Sequence, residues 1–359
     1  MKKHKKNNLE KSPFGRKKQL LLILLFSAIA VVSIWAVVAQ SREFSVADFG
    51  EFLQEASVPW LLVAAVSMLG FILFEALAIS VLCKAQGQKK SLWQNFAYSA
   101  SDIYFSAITP SATGGQPASA YFMMKDGIGG MQATAILVAN LCMYTLSIVV
   151  ISVGCLILGF PIFLQYSAIS QTLIVVGFLI QLGLLVFFFL VLKHERLLHR
   201  MCAAVLRFLC KLHILKYPEE KQSRLDAYME TYRTQTRMIT EHPKAMVRCF
   251  LFNFLQRVSQ IAVTMFVYLA TAGKDIADAL GVLVRQCFVV TGANCIPVPG
   301  AMGISDYMML DGFRSIMTEG RAVNLELLSR SISFYICVFI CGVTTVIQYL
   351  RIQKRGEQR

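Results

Sequence analysis

Residues 92–124 read LWQNFAYSASDIYFSAITPSATGGQPASAYFMM, two apolar arms joined by the cluster Thr109-Pro110-Ser111-Ala112-Thr113-Gly114-Gly115-Gln116-Pro117. A helix needs roughly 20 apolar residues to cross a ~30 Å hydrocarbon core, and the first arm, 92–108, is short and interrupted by Asp102. The stretch is either one more crossing or a re-entrant hairpin, and that choice fixes the topology around it. A second stretch of the same kind occupies 279–310. Its arm 279–296 runs through Pro297-Val298-Pro299-Gly300-Ala301-Met302-Gly303 into a short arm at 304–310.

The surrounding chain is too apolar for a water-soluble surface, with 56% hydrophobic and 16% charged residues. Apolar runs long enough to span occur at 20–39, 58–83, 132–159, 169–192, 246–271 and 331–350. Charge then arbitrates. The basic residues cluster in the head, in the loop with Lys84, Lys89 and Lys90, in 193–244 and in the tail. If both ambiguous stretches are re-entrant, all four regions share one face, which the positive-inside rule makes cytoplasmic. If both span, 193–244 moves outside with its eleven Lys/Arg against six Asp/Glu. The reading is an all-α polytopic membrane protein with six full crossings and two re-entrant hairpins. It is multi-pass in the cell membrane with both termini cytoplasmic.

The order helix, helix, hairpin, helix occurs twice, and three crossings per half make the second copy inverted. An echo supports it: Ser119-Ala120-Tyr121-Phe122-Met123-Met124-Lys125-Asp126-Gly127 against Ser305-Asp306-Tyr307-Met308-Met309-Leu310-Asp311-Gly312, starting 186 positions later (305 less 119). The expected organisation is a basic head at 1–19, a first membrane repeat at 20–168 with hairpin 92–124, a second repeat at 169–350 with a cytoplasmic amphipathic insert at 193–245 and hairpin 279–310, and a basic tail at 351–359. The run 20–39 exceeds a usual signal-peptide core, so it is read as a retained first helix. None of the ten cysteines falls in an outer loop, so no disulfide framework is implied.

Irregular backbone at membrane depth persists only where protein or water covers it, so each cluster implies a cavity. Thr113, Gly114, Gly115 and Gln116 in the first, and Gly300 and Gly303 in the second, open helical arms whose amides suit an anion such as phosphate. Ionisable residues inside apolar segments are costly, and four stand out: Glu75, Asp102, Arg257 and Arg285. Asn253, Arg257, Gln260 and Thr264, with Gln256 beside them, form one polar stripe. Arg257 and Arg285 suit a phosphate-bearing headgroup through their planar forks; Arg257 also suits a structural pairing with Glu75 or Asp102. Asp306 either balances charge or caps its arm. Arg314 with Asp311 and Arg330 with Glu326 read as local surface pairs.

Thr109-Pro110 followed by Thr113-Gly114-Gly115-Gln116-Pro117, and Pro297-x-Pro299-Gly300-x-x-Gly303-x-x-Asp306 later, resemble the paired motifs of the flippase-like transmembrane domain of lysylphosphatidylglycerol synthases. That domain occurs fused in the multiple peptide resistance factor and as stand-alone proteins. Asp306 stands where the family usually has Glu, and Ala301 where it often has a second Gly. The resemblance implies movement between leaflets of a lipid with a charged headgroup, lysyl-phosphatidylglycerol or a relative, or of a lipid-linked precursor. Lysyl transfer in the family belongs to a separate soluble domain, and nine residues follow Leu350, so that half is expected to be absent. His194-Glu195-x-x-x-His199 sets its histidines roughly 140° apart on a helix, unlike a zinc motif. No cofactor or metal is expected.

The insert reads as basic amphipathic helices on anionic headgroups, or as a docking surface for a lipid-modifying enzyme. Two further classes stay open: an accessory membrane subunit of a phosphatidylglycerol lysyltransferase or similar system, and an ion-coupled small-solute transporter with Glu75 and Asp102 as proton sites. Membrane phospholipid is the expected partner, and a homodimer is left open. The net charge of +14 is absorbed by orientation and anionic lipid, without nucleic acid.

Overall fold

The computed structural model describes residues 46–109, 112–193, 199–200, 203–204, 218–271, 276–294, 296, 301 and 303–357. Among these the regular secondary structure is helical, with no strand. The elements are α1 (Val46–Gln54), α2 (Val58–Ala85), α3 (Leu92–Ile108), α4 (Gly115–Lys125), α5 (Gly130–Leu158), α6 (Phe160–Phe163), α7 (Ala168–Lys193), α8 (Pro218–Thr240), α9 (Pro243–Thr271), α10 (Ile276–Ala293), α11 (Ile304–Phe313), α12 (Glu319–Arg330) and α13 (Cys337–Glu357). A π-helical turn, Ser331–Ile336, joins α12 to α13 in one long helix.

Six helices among the described residues are long and apolar enough to cross a membrane: α2, α5, α7, α9, α10 and the α12–α13 unit. The protein is a multi-pass membrane protein. Five of these match expected crossings; the sixth expected crossing, 20–39, lies outside the described residues. α10 departs from expectation. It begins at Ile276, ahead of the apolar run read from the sequence, and its 18 residues span about 27 Å, close to a full core thickness. Its companion α11 has 10 residues, about 15 Å, and is too short to cross. α3 and α4 repeat the combination with 17 and 11 residues.

The ends of these helices follow from local chemistry. Ser91 and Gln94 form a reciprocal capping box at the start of α3, with the Gln94 amide donating to Ser91 Oγ at 3.2 Å and the Ser91 amide to Gln94 Oε1 at 3.0 Å. α3 stops at Thr109, which is extended (φ −115°, ψ 144°) as the residue before a proline must be. Each turn leading to a short arm holds one alanine in the left-handed region, Ala112 (φ 54°) and Ala301 (φ 52°). Both lie three residues before the short arm begins, at Gly115 and Ile304. That conformation costs an L-residue roughly 1–2 kcal/mol and a glycine nothing. The backbone therefore explains why glycine suits position 301. Ala301→Gly is expected to stabilise the detergent-solubilised protein by about 0.5–1 kcal/mol in thermal unfolding, and Ala301→Val to destabilise it by more.

α2 and α9 pack along one another more extensively than any other pair, and Ser67 Oγ donates to Ser259 O at 2.8 Å between them. Small residues permit such contact where hydrocarbon supplies no hydrophobic drive. Gly177 on α7 shows the limit: a Cβ there would stand 2.2 Å from the Thr291 carbonyl of α10. Around this centre α3 packs on α13, and α10 on α7 and α5. Val175, Val176, Leu179 and Ile180 on α7 are exposed, as befits a lipid-facing surface. α8, the described part of the amphipathic insert, buries Tyr232 and Ile239 completely and packs on α5. The other amphipathic helix expected there falls mostly outside the described residues. Seven cysteines are free thiols; Cys202, Cys210 and Cys295 lie outside the described residues.

Candidate functional site

The polar stripe of α9 faces the interior. Asn253, Gln256, Arg257 and Thr264 are all buried, and the first three each meet a partner from another helix. Asn253 Nδ2 donates to Asn140 Oδ1 of α5 at 3.0 Å. Gln256 Nε2 donates to Glu75 Oε2 of α2 at 3.0 Å. The Arg257 guanidinium stacks on the Tyr144 ring of α5, 4.1 Å from its centroid, and donates through Nη1 to Gln260 Oε1. Its Nε is buried without an acceptor. The residue lines a cavity with room for about one water, bounded also by Ile148, Ser152, Cys287 and Thr291. Ser152 Oγ and Thr291 Oγ1 share a 2.8 Å hydrogen bond on its wall.

Glu75 and Asp102 come together beside this stripe. Their carboxyl groups lie side by side, and the nearby Ser99 hydroxyl donates to the Ile72 carbonyl at 3.1 Å. No ion pair joins either to Arg257 among the described residues, so Arg257 is not their salt-bridge partner; it acts on Glu75 through space. Asp102 also clasps the first hairpin: Gln116 Nε2 donates to its Oδ2 at 2.6 Å and Ser106 Oγ to its Oδ1 at 3.2 Å. Gly115 is buried because the arms touch there, and a Cβ would stand 2.0 Å from Asp102 Oδ1.

Several anticipated headgroup ligands are engaged in holding the fold. The Gly114 amide donates to Thr109 Oγ1 at 2.9 Å and the Gly303 amide to Asp306 Oδ2 at 2.9 Å, so neither points outward as the loop composition suggested. Thr113 is exposed in the turn, and Gly300 lies outside the described residues. Arg285 is a clamp: Nε donates to Gly312 O at 2.8 Å, Nη1 to Gly281 O at 3.3 Å, and Nη2 to Gln165 Oε1 at 2.8 Å and Ser315 Oγ at 3.1 Å. It secures α10 to the end of α11 and to the segment before α7.

Asp306 caps its arm, and its charge meets Arg330, which ion-pairs with it and also approaches Glu326 at 4.0 Å. Arg330 and Glu326 are not the surface pair that their spacing suggested. Their side chains are 11% and 3% exposed, because the helix starts at Glu319, well before the apolar run at 331. Asp311 likewise does more than pair with Arg314. It accepts the Ser167 amide at 2.9 Å and the Ser167 hydroxyl at 2.8 Å at the start of α7. Its counterpart in the echo, Asp126, accepts Tyr98 Oη at 2.8 Å, Gln348 Nε2 at 3.1 Å and Arg355 Nη1 at 3.4 Å. Both echo aspartates thus fasten a short arm to a long helix.

A family model for the lysylphosphatidylglycerol synthase TM region matches residues 19–341. The chain belongs to this family. None of the curated proteins matches it. Within this lysylphosphatidylglycerol synthase TM region, composition gives no sign of Tyr144 and Asn140 and reads Glu326 and Arg330 only as a surface pair. The first two lie on a long, mainly apolar crossing, α5, that also carries Thr145, Ser147 and Ser152, and only the facing stripe of α9 gives them meaning.

Proposed function

We propose that the protein moves a phospholipid with a charged headgroup, lysyl-phosphatidylglycerol or a related lipid, or a lipid-linked precursor, between the leaflets of the cell membrane, with both termini cytoplasmic. The observation that carries this reading is Arg257: a buried guanidinium at the bundle centre, with no ion pair among the described residues, an unpartnered Nε and a cavity beside it. A charge held there costs ~2.5–3.5 kcal/mol on insertion scales, an expense found mainly where function requires it. A guanidinium stacked on a tyrosine, with serine and threonine hydroxyls opposite, suits a phosphate.

A phosphate is larger than one water, so loading requires α5, α9 and α10 to part. The contact pattern supports an inverted repeat that moves in this way. α3–α4 against α2 and α5 is matched by α10–α11 against α9 and α12, α3 on α13 by α10 on α5, and α2 meets α9 at the centre. Rocking one half against the other about the α2–α9 contact opens the site to alternate faces while the acyl tails stay in lipid.

Proteoliposomes containing lipids labelled in different headgroups provide the test. Headgroup-selective translocation is expected, falling at least ~10-fold in Arg257→Ala and partly retained in Arg257→Lys, for loss of a charge-assisted phosphate contact of about 1.5–3 kcal/mol. Translocation without headgroup selectivity, or unaffected by Arg257→Ala, would sink the reading.

A further inference from the structure

Lipid binding at Arg257 leaves Glu75 and Asp102 unexplained. The two side chains come from α2 and α3, lie side by side and are only 5% and 6% exposed. Two carboxylates in contact away from water repel strongly unless they share a proton. The direct hydrogen bonds to the pair come from neutral groups, Gln256, Gln116 and Ser106. The charged and titratable groups facing it are Arg257 from α9, which acts through space, and Cys341 from α13. α4 presents Gln116, which does not titrate, and α5 carries no charged residue.

Gln256 adds an independent observation. It is 1% exposed, and its Nε2 is committed to Glu75 while its Oε1 has no donor. A buried carbonyl oxygen held beside the Glu75 carboxyl, with nothing to accept from, suits a donor that arrives from outside, as a hydrated proton does. The pair is also mechanically placed, because Asp102 is the residue that Gln116 grips and against which Gly115 is pressed.

We propose that Glu75 and Asp102 form a proton-binding site whose loading is coupled to movement of the α3–α4 hairpin, and through it to lipid translocation; the coupling rests on the translocation reading above. With the proton in place the carboxyls stay together and the hairpin stays clasped. When the proton leaves, repulsion separates them, and the shift of Asp102 releases Gln116 and the short arm. The proton is bound and released without chemical change, so each cycle carries it across.

The test uses the full chain in proteoliposomes with labelled phosphatidylglycerol and lysyl-phosphatidylglycerol, an imposed pH gradient, and valinomycin with potassium to clamp the potential. The expected result is a leaflet distribution that shifts about tenfold per pH unit for one proton per lipid, reverses with the gradient, and loses this dependence in Glu75→Gln and Asp102→Asn. Translocation that ignores the pH gradient, or follows a sodium gradient at constant pH, would overturn the proton site and leave the lipid reading standing. If no lipid moves, the lipid reading fails, and infrared difference titration of the same preparation decides the proton site. A titrating carboxylic-acid band that is lost in Glu75→Gln upholds it; no such band overturns it.

Discussion

Arg330→Ala is expected to destabilise the folded protein by about 3–5 kcal/mol, the cost of leaving buried charge uncompensated. Asp306 and Glu326 both depend on this guanidinium, with side chains 2% and 3% exposed. Arg330 also donates to Ser305 Oγ, so its loss removes the tie between the α12–α13 helix and the start of α11. The change sits directly before the π-helical turn Ser331–Ile336, where an i→i+5 pattern already loosens the ladder. Intrinsic-fluorescence melting in detergent would measure the effect. Asp306→Asn introduced into Arg330→Ala should recover part of the loss by removing the stranded charge, whereas Glu326→Leu in the wild-type background leaves the Asp306 pair intact and should cost less. A melting point unchanged in Arg330→Ala would mean that the cluster is not a charged unit.

The same cluster shows where reading from sequence stops. Helix class, the long apolar crossings and the interior-facing stripe at Asn253, Gln256, Arg257 and Thr264 are legible because hydropathy and 3.6-residue spacing report directly on which surface meets lipid. The contact of Glu75 with Asp102 is not, since nothing in the spacing of two residues on different helices says how those helices are rotated. Arg330 and Glu326 were misplaced for a further reason. A hydropathy window finds the apolar part of a helix, and α12 extends twelve residues ahead of that part, carrying polar residues inward under cover of α11 and α9. Backbone amides in the Gly-rich clusters mislead in the opposite direction. Composition says that Gly114 and Gly303 leave their amides accessible, but Thr109 and Asp306 sit within reach and take them. Arg285 is the same lesson for a side chain: a lone arginine in an apolar run looks functional until four acceptors are found around it.

Gly115→Ala should produce the largest loss among the hairpin positions, about 3 kcal/mol or more, and should do so by prising the arms apart. A methyl group at 115 would stand 2.0 Å from Asp102 Oδ1, 2.1 Å from Ser106 Oγ and 2.6 Å from the Asp102 carbonyl oxygen. Side chains can swing away from such a clash, but the carbonyl belongs to the α3 backbone, so the whole short arm has to shift; overpacking alone typically costs 1–3 kcal/mol. The shift also breaks the 2.6 Å bond from Gln116 to Asp102, and a buried carboxylate that loses a donor costs about 1–3 kcal/mol more. Gly114→Ala separates the two contributions. Its nearest obstacles are Thr109 Cγ2 at 2.7 Å and Oγ1 at 2.9 Å, on a side chain that can rotate, with the Phe105 carbonyl at 3.1 Å, so a smaller loss is expected. Gly154→Ala supplies the opposite sign. It lies within α5 with nothing within 4 Å of the added carbon, and replacing an unobstructed helical glycine by alanine stabilises by about 0.8–1.0 kcal/mol. Melting the three variants side by side orders them as 154 above wild type, then 114, then 115. If 115 melted with 114, the close approach of the arms at Asp102 would not be what glycine is there to permit.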